Sequence, residues 1–219
     1  MTLKLVIGNK NYSSWSMRPW LAMRASGIAF EEVFIPLYTD NKADKDRILS
    51  FSRSGKVPTL VDGDVTVWDS LAIIEYLAER FPEARLWPES PAARAHARAI
   101  SAEMHSGFLP LRNECGMNLH RPVRAVALSA DAEANVARVQ EIWTDCRERH
   151  GKLGPYLFGA FTAADAMYAP VVHRFRTYAI KASPQVQAYM DTMMALPAFA
   201  EWTKAGLAET LVIEKFETV

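Results

Sequence analysis

An α/β domain followed by an all-α domain is the fold class that this 219-residue sequence predicts. Three observations predict it. Short apolar runs alternate with helical spacing over the first 80 residues, three prolines (Pro82, Pro88 and Pro91) then fall within residues 81–91, and beyond them strand signals give way to long Ala-rich segments of helical spacing. The division that follows is residues 1–80, a linker over 81–91, and a helical bundle over 92–219.

The elements follow in order. Residues 3–7 form an apolar run bounded by Gly8-Asn9 and read as a buried strand. Residues 16–25 take helical spacing, with Pro19 in the first turn and Gly27 as the stop. Residues 31–37 alternate as a second strand, and residues 40–51 are polar and compatible with a helix. Two short strands over 57–61 and 65–67 are joined by Asp62-Gly63-Asp64, a hairpin turn signal. Asp69 opens a helix over 70–80 whose Leu71, Ile74 and Leu77 share a face. In the second half the spacing predicts helices over 92–119, 131–150, 162–179, 184–195 and 198–208.

Composition narrows the function classes. Half of the residues are hydrophobic, and 25 Lys plus Arg balance 25 Asp plus Glu. The balance holds in both halves, with 11 of each sign over residues 1–88 and 14 of each over 89–219. A main partner that is a nucleic acid or an anionic membrane needs a basic excess, so a small molecule or a protein is expected instead. No apolar run approaches the ~20 residues of a membrane span. Cys115 and Cys146 make neither a disulfide framework nor a zinc site, and the histidines His105 and His120 lack ligand spacing to them, so no metal is expected. With no leader-like start, the expected address is the cytoplasm.

Four motifs carry chemistry: Tyr12-Ser13-Ser14-Trp15-Ser16-Met17-Arg18 after the first strand, Lys56-Val57-Pro58-Thr59-Leu60 at the third, Trp68-Asp69-Ser70 with the helix that follows, and Phe161-Thr162-Ala163-Ala164-Asp165. In this order and spacing the whole chain resembles a cytosolic glutathione transferase: a thioredoxin-like βαβαββα domain before a helical domain. The resemblance implies glutathione as co-substrate, a homodimer, and a role in detoxification by attack of the glutathione thiolate on a small hydrophobic electrophile. It also implies a cis Val57–Pro58 bond, with Pro58 structural and the Val57 backbone meeting the cysteinyl part of glutathione.

The residues can be weighed on their own chemistry. Asp69 and Ser70 suit a helix cap, and a helix N-terminus also receives a carboxylate. In the resemblance Ser70 takes the γ-glutamyl carboxylate and Asp69 its ammonium. In the same resemblance Lys56, with Lys42 as alternative, reaches the glycyl carboxylate as a point charge. A thiol of pKa ~8.5 needs help to ionise near neutrality, and a hydroxyl beside a helix N-terminus gives it. Ser13, five residues before Arg18, is the choice on the zeta-like S-S-C-x-x-R pattern, with Ser14 and Tyr12 as alternatives. Trp15 stands where that pattern has Cys, which sets the zeta-type isomerase activity in question. Arg18 has two readings, one in catalysis and one in holding the loop.

For the second substrate, Met104, Phe108, Leu111 and Cys115 form a stripe on the first long helix of the bundle, and Met104, Phe108 and Arg112 are the candidates to line the cleft. Five arginines against two glutamates over residues 90–125 predict a mildly positive cleft. Thr162 and Asp165 fit a capping box, a folding element. The alternatives to a transferase are a glutathione-dependent isomerase of the maleylacetoacetate type, or a protein of this fold that binds glutathione or a partner without turnover.

Overall fold

The computed structural model describes residues 2–217. Four strands, β1 (Leu3–Ile7), β2 (Phe30–Phe34), β3 (Thr59–Asp62) and β4 (Val65–Val67), make one sheet in the order β2-β1-β3-β4. β1 runs parallel to β2, with Val6 opposite Val33, and antiparallel to β3, with Val6 opposite Thr59. β3 and β4 form the hairpin that Asp62-Gly63-Asp64 predicts. The central strand is buried on both faces because helices cover both. Leu3, Leu5 and Ile7 join the main core, while Val6 meets Val33, Ile35 and Ile48 in a smaller cluster under the second helix.

Helices α1 (Ser14–Ala25), α2 (Lys42–Phe51) and α3 (Ser70–Arg80) complete the first half. β2 is shorter than its alternation suggests, since Pro36 has no N–H to continue the ladder. β3 likewise begins only after Pro58. α1 begins two residues before its spacing predicts, because Ser13 supplies the cap. Pro19 therefore lies in the second turn rather than the first, and the Trp15 carbonyl lacks its usual intrahelical donor.

The second half contains α4 (Pro91–Ser106), α5 (Leu109–Glu114), α6 (Ala130–His150), α7 (Ala163–Thr177), α8 (Pro184–Ala195) and α9 (Pro197–Leu207). One expectation fails here. The helix expected over 92–119 is broken at Gly107-Phe108, with Phe108 left-handed at φ 60° and Pro110 in the first turn of α5. Inside a continuous helix Pro110 would deny the Ser106 carbonyl its donor and crowd it, and with Gly107 beside it the helix breaks there even though the apolar spacing runs through. The stripe of Met104, Phe108, Leu111 and Cys115 is not one helical face, and its members pack into the core.

α7 is the buried axis of the bundle, packed on α1, α4 and α8. One continuous core runs from β1 and α1 through the linker residues Leu86 and Trp87 to α7 and α9. Trp20 of α1 meets Trp202 of α9 with ring centroids 5.1 Å apart. The two halves are therefore held face to face, and that contact fixes what lies at the end of the sheet.

Candidate functional site

Three segments meet at one end of the sheet. β1 ends at Ile7 and leads to α1; β3 starts opposite that end; and β4, antiparallel to β3, leads from the same end into α3. Register alone thus brings the start of α1, the Val57-Pro58 step and the start of α3 together.

The turn from β1 to α1 is clamped from several directions. Asn9 Oδ1 accepts from Leu37 N–H at 2.9 Å, and the Asn9 carbonyl accepts from Ser13 N–H at 2.7 Å. Buried Asn11 accepts through Oδ1 from Leu119 N–H at 2.6 Å. Glu209, just beyond α9, accepts from the Lys10 and Asn11 N–H groups at 2.6 and 3.0 Å. α9 itself lies so close that a Cβ on Gly206 would sit 2.5 Å from Leu119 Cδ1. Ser13 emerges from this turn as the cap of α1. Its Oγ accepts from Ser16 N–H at 3.2 Å, and the residue is 7% exposed. It stands at the positive end of a 12-residue helix. Ser14, next to it, is also nearly buried.

At β3 the Val57–Pro58 bond is cis, as the resemblance implied. The Val57 N–H and C=O have no hydrogen-bond partner among the described residues. At α3 Asp69 caps the helix, its Oδ1 accepting from Leu71 and Ala72 N–H at 3.1 and 3.4 Å. Its other oxygen meets His105 Nε2 of α4 at 2.8 Å. Ser70 is buried, with Arg18 Nη1 3.5 Å from its Oγ.

On the side of the helical half, two guanidinium groups lie over the Trp15 ring, Arg18 at 4.4 Å and Arg112 at 4.5 Å from its centroid. His105 packs against the same ring, 5.3 Å between centroids. Arg18 is wholly buried, with Nε and Nη2 unpartnered among the described residues. Burial and the repulsion of Arg112 and Arg174 push its pKa down to about 9, so it stays charged at neutrality. Burial, and then Arg112, lower Arg174 of α7 to about 10. Burial outweighs the pull of Asp69 on His105, whose pKa is lowered and whose ring is neutral at pH 7. The result is a positive wall behind Trp15 in a chain of zero net charge.

Residues 12–80 match the model of the glutathione S-transferase N-terminal domain, and residues 127–205 that of the C-terminal domain. A probable maleylacetoacetate isomerase from Caenorhabditis elegans is 32% identical over 85% of this chain and 87% of its own. The chain belongs to the glutathione S-transferase family. A stringent starvation protein A homolog from Pasteurella multocida is 26% identical over 89% of this chain and 88% of its own. Among solved structures, a glutathione transferase homolog from Burkholderia with bound glutathione has a TM-score of 0.70 at 23% identity, covering 95% of this chain and 100% of that one. That likeness shows the fold.

Within this family fold, the expected residues fall into three groups. Ser13, Ser14, Val57, Asp69 and Ser70 gather at the sheet end. Lys42, at the start of α2, and Lys56 are exposed, and neither makes an ion pair among the described residues. The remaining positions need correction. The Tyr12 hydroxyl is turned to the chain's end rather than to the Val57 step: it donates to Glu217 at 2.5 Å, and burial with that carboxylate raises its pKa. Arg18 has no exposed surface and works from behind Ser70 and Trp15. Met104 is a fully buried core residue on the same face of α4 as Ala97 and Ile100, and Phe108, at the helix break, is 7% exposed. Arg112 alone of that trio is partly exposed, with its guanidinium over Trp15. The expected positive charge of residues 90–125 is also redistributed, since Arg98 pairs with Glu75 at 3.0 Å and Arg121 lies over Tyr178. The positive charge near the start of α1 comes instead from Arg112 with the buried Arg18 and Arg174. Trp15, His105, Arg174 and Glu209 carry no spacing signal that would join them to Ser13; Trp15, beside two serines in the same motif, was the nearest to legible.

Proposed function

We propose that the chain is a glutathione transferase, acting as a cytoplasmic homodimer, in which Ser13 donates a hydrogen bond to the glutathione sulfur and the thiolate attacks a small hydrophobic electrophile. The observation that carries this reading is the Ser13 hydroxyl, held at the N-terminus of α1 at the sheet end where the Val57 backbone groups are unpartnered. A helix N-terminus and an O–H donor both favour the anionic sulfur over the thiol. Val57 then receives the cysteinyl backbone as a neighbouring strand would. Asp69 and Ser70 take the γ-glutamyl end, where the substrate ammonium and His105 compete for the same Asp69 oxygen. Lys56 or Lys42 takes the glycyl carboxylate, and Arg18 orients Ser70. Residues 1–80 supply these contacts, residues 81–91 the linker, and residues 92–219 the wall of the second-substrate site through Arg112.

A second reading has its own support: the 32% identical relative is named a maleylacetoacetate isomerase, so the same thiolate would add to and leave an unsaturated substrate. Both readings need Ser13. Titration of the thiol of bound glutathione in wild type, Ser13→Ala and Ser14→Ala tests them. The pKa is expected to be depressed in wild type and Ser14→Ala, and to return to the free value in Ser13→Ala. Tight binding without any shift in the wild type refutes turnover by this route and leaves a binding protein.

A further inference from the structure

The Ser13 hydroxyl is already engaged. It donates to Ser16 Oγ at 2.8 Å, while Ser16 N–H donates back to Ser13 Oγ at 3.2 Å. Ser16 Oγ also accepts from Gly8 N–H at 3.1 Å, and Ser16 is wholly buried. Ser16 Oγ therefore accepts twice, and its own proton has no acceptor among the described residues. A buried hydroxyl with a spare proton beside the candidate catalytic hydroxyl is an unusual pairing, because buried polar groups are ordinarily satisfied.

We infer that Ser16 is a positioning residue that completes the thiolate site by reversing its hydrogen bond with Ser13. The inference rests on the reading that Ser13 holds the glutathione sulfur. When the sulfur arrives, the Ser13 O–H turns from Ser16 to the sulfur, and the Ser16 O–H turns to the Ser13 oxygen that has just lost its orientation. Both movements are rotations about Cβ–Oγ bonds: no proton changes owner, and the serine pair keeps one O–H···O bond throughout. The outcome is a chain of donors, Gly8 N–H to Ser16, Ser16 to Ser13, Ser13 to sulfur. Each donor in such a chain polarises the next, by ~10–30% per bond. Ser16 N–H holds the Ser13 oxygen in place through the change, so the cap of α1 survives it. Without Ser16 the proton of Ser13 still reaches the sulfur, but from a less polarised oxygen.

The test follows the pKa of the cysteinyl thiol of bound, carbon-labelled glutathione by NMR in wild type, Ser13→Ala, Ser16→Ala and Ser16→Cys, the last keeping the volume with a weaker donor. Ser16→Ala and Ser16→Cys are expected to raise the bound-thiol pKa by about half a unit, a roughly threefold fall in the thiolate-to-thiol ratio. Affinity for S-methylglutathione, which has no thiol to ionise, is expected to stay within about twofold of wild type. A bound-thiol pKa equal to wild type in whichever Ser16 variant folds, while Ser13→Ala shifts it, overturns the inference and leaves the Ser13 reading standing. Loss of S-methylglutathione affinity with no change of pKa makes Ser16 merely structural and overturns it as well. A bound-thiol pKa unmoved by Ser13→Ala removes the proposed function itself.

Discussion

Asp165→Ala removes a carboxylate that is wholly buried at the start of α7 and accepts four hydrogen bonds: from Leu157 N–H at 3.1 Å, Thr162 N–H at 2.8 Å, the Thr162 hydroxyl at 3.0 Å and the Tyr189 hydroxyl at 3.2 Å. The two hydroxyls can rotate to other acceptors, but the two backbone N–H groups cannot. Each buried donor left unpaired costs about 1–3 kcal/mol. Removing the carboxylate also relieves its own desolvation, which pushes the Asp165 pKa up to about 6. The net is a loss of about 3 kcal/mol, well above the ~1 kcal/mol of an ordinary exposed cap. For a chain of this size that corresponds to a Tm lower by roughly 6–12 °C. Urea unfolding followed by tryptophan fluorescence measures it, beside glutathione binding at a temperature where the variant is folded. A change below ~0.5 kcal/mol, or lost affinity at full stability, refutes the assignment of Asp165 as a folding element.

Tyr12→Phe keeps the ring against Phe216 and removes the bond to Glu217; it is expected to leave the bound-thiol pKa as in wild type while costing about 1 kcal/mol of stability, and a thiol pKa raised as far as in Ser13→Ala would restore Tyr12 as the activating group. His173→Phe tests pH dependence. Burial first, then Arg176 and Arg174, lower the His173 pKa to about 3, and its ring stacks on Phe199 at 4.3 Å. The unfolded chain therefore binds a proton that the folded one refuses between pH ~6.5 and about 3, and stability falls with pH across that window by up to ~1.4 kcal/mol per unit. Asp165 works the other way, its raised pKa favouring the folded state on acidification from about 6 to 3.8. Denaturant midpoints from pH 7 to 4 are expected to fall less steeply in His173→Phe than in wild type, and equal slopes would refute the neutral buried imidazole.

The sheet, the three helices around it and four of the helices beyond were legible because their signals are local: alternation, capping residues and prolines each act within a few residues. Even the misplaced helix over 92–119 had its local signal, Pro110, which the apolar spacing masked. The site is legible only in part, and the divide is again one of range. Ser13, Val57 and Asp69-Ser70 sit in short motifs whose chemistry can be read where they stand. What sets Tyr12 apart from Ser13 lies about 200 residues away, where the segment after α9 binds the Tyr12 hydroxyl and the Lys10-Asn11 backbone. Tyr12 and Ser13 are adjacent hydroxyls on one turn, and within their own motif only the spacing of Ser13 to Arg18 ranks one above the other.

The same clamp explains why the Ser13 geometry depends on both halves of the chain. The turn from β1 to α1 has its outward groups bound to Leu119, Glu209 and Glu217, all from the helical half, and its inward groups bound to Asn9 and Ser16. A hydroxyl must be held closely to favour a thiolate over a thiol, since its bond to sulfur weakens steeply off line. The first 80 residues contain every group proposed to touch glutathione, yet Glu209 and Glu217, near the end of the described residues, hold the loop from which Ser13 projects.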